Sequence, residues 1–92
     1  MPIQTKETFG LVSQSRRCAV SIPSNIAEGF KRQSKKDSAH FYNIAEGSLE
    51  ELKYQLLLAK DLGYINTEQY AVAFNLAEES GKLINGWKKS QT

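Results

Sequence analysis

Between residues 36 and 62 the apolar positions Tyr42, Ala45, Leu49, Leu52, Leu56 and Ala59 return at alternating intervals of three and four. This is the seam of an amphipathic helix, because side chains three and four apart share one face of a 3.6-residue turn. Both ends carry stop signals. Ser34, with Asp37 three positions on, fits an N-terminal capping box, and Gly63 suits the left-handed residue that closes a helix. At 1.5 Å per residue the predicted rod is about 40 Å long.

A second seam, Tyr70, Ala73, Ala77, Ser80, Ile84 and Trp87, follows after a very short connection. Asn66 can cap this helix, Glu68 lies in its positive first turn, and Gln69 can close the box from the third helical position. A link as short as Gly63 to Asn66 forces an antiparallel hairpin. Gly81 and Gly86 each weaken the helix by about 1 kcal/mol relative to alanine, which marks close approach or a frayed end.

Upstream, residues 7–30 read as a less regular helix with Pro23 inside it, which removes one hydrogen bond and predicts a kink. Its apolar residues form two stripes, one of Phe9, Val12, Ala19, Ile26 and Phe30, the other of Leu11, Cys18 and Ile22. The expected fold is all-α, an up-down antiparallel bundle of three helices at about 7–30, 35–62 and 66–88, with no strand pattern and no internal repeat. Three helices cannot cover both stripes. The stripe of Leu11, Cys18 and Ile22 is therefore expected to be buried by another subunit. A polar row on the first helix, Gln14, Arg17, Ser21, Asn25 and Glu28, matches Ser48, Glu51 and Gln55 on the second. Face to face, the rows form an interhelical hydrogen-bond layer, since buried polar groups must find partners.

Composition narrows the class of protein. A chain of 92 residues, 40% hydrophobic and 24% charged, is a folded one and is expected to form a single domain over 1–92. Its apolar runs, such as Leu56 to Ala59, fall far short of the roughly twenty residues needed to cross a bilayer. The first thirty residues lack a signal-peptide core and Cys18 is the only cysteine, so the cytoplasm is the default compartment and no membrane partner is expected. The net charge of +2 hides an asymmetry, +5 over residues 1–36 and −6 over residues 37–81.

Candidate chemistry follows from that asymmetry. Lys31, Arg32, Lys35 and Lys36 gather at the junction of the first two helices, beside free N–H groups that also attract anions, which makes a candidate phosphate site. The competing reading is a solvated turn. Arg16 and Arg17 add two cations on the first helix, as phosphate ligands or as structural ion pairs to the acidic second helix. No helix-turn-helix, zinc-finger or basic-aromatic code accompanies the run, so binding is expected to follow backbone and shape more than base sequence. His40, the only histidine, permits neither a His cluster nor a triad and is expected at the surface, while Cys18 is expected to be buried and inert. Glu28 and Glu51 are the one conceivable carboxylate pair, and they lack a nucleophile or a metal ligand. No enzyme, metal or cofactor is therefore expected.

The order of several segments resembles a known family. Phe9-Gly10-Leu11, Gln14, Arg16-Arg17 and the run Ser21-Ile22-Pro23-Ser24-Asn25-Ile26-Ala27-Glu28-Gly29 are followed by Ser34-Lys35-Lys36, Gly47 to Leu52 and Gln55 to Tyr64. Together they resemble the bacterial four-helix-bundle proteins called 23S rRNA intervening-sequence proteins. The resemblance implies a non-enzymatic up-down bundle that assembles into a ring, typically a pentamer. It also implies kinship to the accessory determinant of diversity-generating retroelements, which has a basic surface, binds nucleic acid and partners a reverse transcriptase. Arg16, Arg17, Lys35 and Lys36 match the family's basic positions, and Lys31 and Arg32 fall in a generally basic stretch. Family chains carry a further helix before the FGL segment, and only Met1 to Thr8 precede it here. Two functions remain in play: a homo-oligomer that grips RNA or DNA backbone, and a scaffold that docks a protein partner such as a reverse transcriptase or a ribosome-associated factor.

Overall fold

The computed structural model describes residues 6–90, with side chains described from Gly10 onward. Three helices follow one another: α1 (Lys6–Lys31), α2 (Lys35–Asp61) and α3 (Thr67–Lys89). No strand occurs among the described residues. The all-α, antiparallel expectation holds, with boundaries within one residue of those read from the sequence.

Local chemistry sets each boundary. Ser34 is the N-cap of α2 and its Oγ accepts the Asp37 amide at 3.0 Å. At the other end Gly63 takes φ +80°, the Tyr64 amide donates to Ala59 O at 2.9 Å, and the Gly63 amide donates to Lys60 O at 3.0 Å. This double closure is a Schellman motif. Asn66 and Gln69 form a reciprocal capping box at the start of α3, with bonds of 2.7 and 2.9 Å. α1 runs without interruption through Pro23.

α2 is the middle rod, packed on α1 along one side and on α3 along the other, and the flanking helices barely touch each other. The result is a slab of 50 × 23 × 14 Å. Its radius of gyration, 15.1 Å, exceeds the roughly 12 Å of a compact chain this long. The core is Tyr42, Ala45, Leu49, Ala77 and Ile84, with Ile22, Ile26 and Trp87 packed against it. The five core residues and Trp87 lie on the predicted seams of α2 and α3, and Ile22 and Ile26 come from α1.

The face of α1 that meets α2 corrects the sequence reading. Cys18 is buried, and Leu11 and Ile22 are half-buried within this chain; of the other stripe Ile26 is half-buried against the core, whereas Val12, Ala19 and Phe30 are exposed. Phe9 lies outside the residues whose side chains are described. The stripe expected to require another subunit is thus covered in large part by the chain itself. The reason is Gly29, which continues the line of Leu11, Cys18 and Ile22 and turns that face toward α2. A Cβ on Gly29 would lie 2.5 Å from Cε1 of Tyr42, a residue only 1% exposed. The Ser38 hydroxyl donates to Gly29 O at 2.7 Å across the same contact.

The polar layer forms in part. Ser21 and Ser48 hydroxyls bond at 2.8 Å, and the Asn25 amide donates to Ser21 O and Oγ at 2.8 and 3.0 Å. Gln55 is buried in line with Ser48, and its Oε1 has no partner among the described residues. Gly81 marks a second close approach, 3.2 Å from a hypothetical Cβ to Leu49 Cδ2, whereas Gly86 faces open space.

Gly29→Ala is expected to destabilise the fold. Overpacking of about 1–3 kcal/mol against an immobile ring outweighs the roughly 1 kcal/mol gain in helix propensity. Gly86→Ala lacks the clash and is expected to stabilise by about 1 kcal/mol. Urea denaturation of both variants checks the contrast.

Candidate functional site

The antiparallel order places the end of α1, the start of α2 and the end of α3 at one pole of the slab. Phe30 joins all three there, its ring 5.8 Å from Tyr42 and 5.5 Å from Trp87, edge-on in both cases. Around this aromatic contact stand Lys31 and Arg32 in or just after the last turn of α1, Lys35 and Lys36 in the first turn of α2, and Lys88 and Lys89 in the last turn of α3. The four cations of the 31–36 run therefore do come together, and α3 adds two that the sequence reading did not assign.

These cations are not equivalent. Lys31 and Arg32 share Glu28, at 3.7 and 2.9 Å, and the Arg32 guanidinium also lies over the Phe41 ring, 4.6 Å from its centroid. Lys88 pairs with Glu46 at 2.7 Å. As cations in final turns, Lys31, Lys88 and Lys89 complement the negative ends of their helix dipoles. Lys35 and Lys36 do the opposite. They sit at the positive end of α2, exposed and without an ion pair among the described residues, on the two first-turn residues whose amides lack an intrahelical partner. Helix stability gives no reason for two lysines there.

Arg16 and Arg17 lie elsewhere. They are fourteen or more residues before Lys31 on the same helix, about 21 Å along its axis. Both are exposed, and neither forms an ion pair among the described residues, so the ion-pair alternative to α2 is not realised. Arg17 instead borders a polar recess of ≈ 270 Å³ with Gln14, Cys18, Ser21, Ser48 and Glu51. Burial, followed by the nearby Glu51 charge, pushes the Cys18 thiol up, which keeps it protonated and unreactive. Glu28 and Glu51 do not meet. Ser21 faces Ser48, so Glu51 falls opposite Cys18 while Glu28 is held by Lys31 and Arg32 at the pole. His40 is exposed, with its ring 5.5 Å from Phe41. No group of three or more metal-binding side chains occurs among the described residues.

Along the α2 seam an apolar groove of ≈ 310 Å³ lies open between α1 and α3. Ala19, Ile22 and Pro23 form one wall, Leu49, Leu52 and Leu56 the floor, and Ala73, Leu76, Ala77 and Ser80 the other wall. Leu76 is 61% exposed, and Val72 and Leu83 continue its stripe along α3. This is an apolar surface a single chain leaves uncovered, and of the stripe expected from the sequence to be uncovered it includes only Ile22.

The missed members of the pole, Phe30, Trp87, Lys88 and Lys89, had one available signal. Three rods of 26, 27 and 23 residues in alternating direction must bring the ends of the first and third to the same place.

Fold and surface together define a small all-α antiparallel bundle protein with one positively charged pole. The family model described as 23S rRNA-intervening sequence protein matches residues 2–86, and the chain belongs to that family. No curated protein matches it. Among the described residues no helix is long and apolar enough to cross a membrane.

Between α2 and α3, Lys53 Nζ donates to Glu78 at 2.7 Å and to Glu50 at 3.0 Å, with the lysine side chain only 14% exposed. The hydrogen bond from Lys53 holds the Glu78 carboxyl below the usual carboxylate range, and its bond to Glu78 raises Lys53. Stability from Glu78 is thus present above the ordinary carboxylate pKa and lost as pH falls through its depressed folded value. Stability from Lys53 is present below the ordinary lysine pKa and lost as pH rises past its elevated one. Glu78→Gln is expected to be less stable than the parent at neutral pH, with the difference closing in acid. Denaturant midpoints across a pH series measure it.

Proposed function

We propose that this protein is a non-enzymatic homo-oligomer that grips the phosphate backbone of nucleic acid through its basic pole. The observation that carries the reading is the placement of Lys35 and Lys36. Two cations at the positive end of a helix oppose the dipole, and beside free amides they offer an anion what the fold itself does not use. Lys31 and Arg32 extend the surface, and Arg16 and Arg17 add a second contact about four helix turns away along α1. Phosphate contacts of this kind bind with steep salt dependence and little base preference. Membership of a family named for intervening sequences of 23S rRNA supports a nucleic-acid context. Among the described residues Glu28 and Glu51 stand apart and burial raises the Cys18 thiol, which supports a non-catalytic role.

Self-association is supported by the open groove. Its apolar walls and the exposed stripe of Val72, Leu76 and Leu83 form an unpartnered surface that a second copy, each with the same groove and stripe, can cover. Repeated poles in such an assembly multiply weak phosphate contacts through avidity. A pentameric ring and a cytoplasmic site of action belong to this reading. The competing reading is a scaffold for a protein partner such as a reverse transcriptase, with the same groove as its docking surface.

Lys35→Glu combined with Lys36→Glu is expected to weaken RNA and DNA binding and to lower the log–log salt slope by about 0.7–0.9 per lysine. The same pair is expected to raise stability by about 0.3–1 kcal/mol per site at low salt. Unchanged affinity in fluorescence anisotropy would remove the pole from the interface. Leu76→Lys is expected to shift the sedimentation coefficient toward the monomer. A parent protein that is already monomeric at micromolar concentration would contradict the homo-oligomer.

A further inference from the structure

The basic pole holds an aromatic ring that the fold leaves in water. Phe30 is 61% exposed, yet it is not loose, because the rings of Tyr42 and Trp87 hold it edge-on at 5.8 and 5.5 Å with interplanar angles of 73° and 72°. It directly precedes Lys31 and Arg32, and the link 32–34 brings Lys35 and Lys36 to the same pole. A large apolar side chain fixed and exposed among cations calls for an occupant with both an apolar face and negative charge.

The apolar groove does not supply that occupant. Its floor begins at Leu49, seven residues beyond Tyr42 and about 10 Å along α2, so Phe30 stands past its end. A second copy placed pole to pole would bring Lys31, Arg32, Lys35 and Lys36 against their own counterparts, which like-charge repulsion opposes. An unpaired nucleobase flanked by phosphates meets both demands, since every base has a π-face and each carries charge on either side. A paired base does not, because its faces are occupied inside the duplex stack.

We propose that Phe30 is a stacking platform for an unpaired base, so that the pole prefers single-stranded nucleic acid over duplex, with the 31–36 cations holding the flanking phosphates. The inference rests on the phosphate-binding reading above and adds to it a strand preference.

The test uses the full chain and one labelled oligonucleotide, made as RNA and as DNA, each alone and annealed to its complement. Phe30→Ala is expected to weaken single-strand binding about fivefold to a hundredfold, the range of one base–aromatic stack, and to leave duplex binding unchanged. A loss confined to RNA or to DNA supports the platform and identifies which strand it serves. Phe30→Trp is expected to retain affinity, and Phe30→Leu, apolar but without a π-face, to lose it. Trp87, the only tryptophan, lies next to Phe30, so its emission in the parent protein is expected to change with single strand and not with duplex. Full affinity in Phe30→Leu, equal loss for both strand forms, or a change in sedimentation without a change in affinity would overturn the platform. If Lys35→Gln with Lys36→Gln weakens both forms while Phe30 variants bind normally, the platform fails and the phosphate-binding reading stands. If neither set of variants has an effect, both fail.

Discussion

Where α1 meets α2 there is no room for a side chain. Gly29 lets the backbone of α1 settle against the Tyr42 ring, and the Ser38 hydroxyl donates to Gly29 O at 2.7 Å across the contact. The same carbonyl also accepts the Arg32 amide at 3.3 Å, so it has two partners at the contact. Much else follows from this contact. With Tyr42 pinned, its ring supports Phe30, and Phe30 reaches Trp87 of α3. The three helix ends that carry the cations are thereby held at one pole. Farther along, Ser21 and Ser48 repeat the α1–α2 register in polar form at 2.8 Å. A slip of one turn would break this bond and drive a larger residue into the Tyr42 ring, so the glycine contact and the serine pair enforce the same alignment.

Much of this was legible from spacing. The seams of α2 and α3, the Asn66 capping box and the left-handed Gly63 follow from local chemistry, and local chemistry is what a single sequence displays. The orientation of α1 was not legible, because its two apolar stripes fit a helical period equally well. The choice between them depends on Gly29, and a helical glycine reads as weakness until its neighbour across the interface is known. The polar row was seen whole but works in part. Ser21 and Asn25 turn inward, whereas Glu28 serves Lys31 and Arg32 on its own helix surface. The composition of the pole was hidden for a different reason: Trp87 and Lys88 are remote in sequence from Phe30 and become its neighbours only through topology.

The cations show how one residue type fills two roles. Lys31, Lys88 and Lys89 lie where a helix end welcomes positive charge, and Lys31 and Lys88 also have carboxylate partners. Lys35 and Lys36 lie where the helix end opposes it. In a family tied by name to intervening sequences of 23S rRNA, that unfavourable placement is the feature on which the proposed phosphate contact depends. The open groove is the corresponding feature for the proposed self-association, since it is the broad apolar surface that α2 cannot cover with two neighbours alone.

The arrangement of α2 between two neighbours that hardly touch also bears on kinetics. Each helix packs chiefly on the one next to it in the chain, across links of only a few residues. No contact between distant segments has to form before the rest can assemble, so the entropy of closing large loops is almost absent from the barrier. Such a topology should reach its native arrangement rapidly as two hairpins sharing a rod, leaving encounter between copies as the slow event in any assembly.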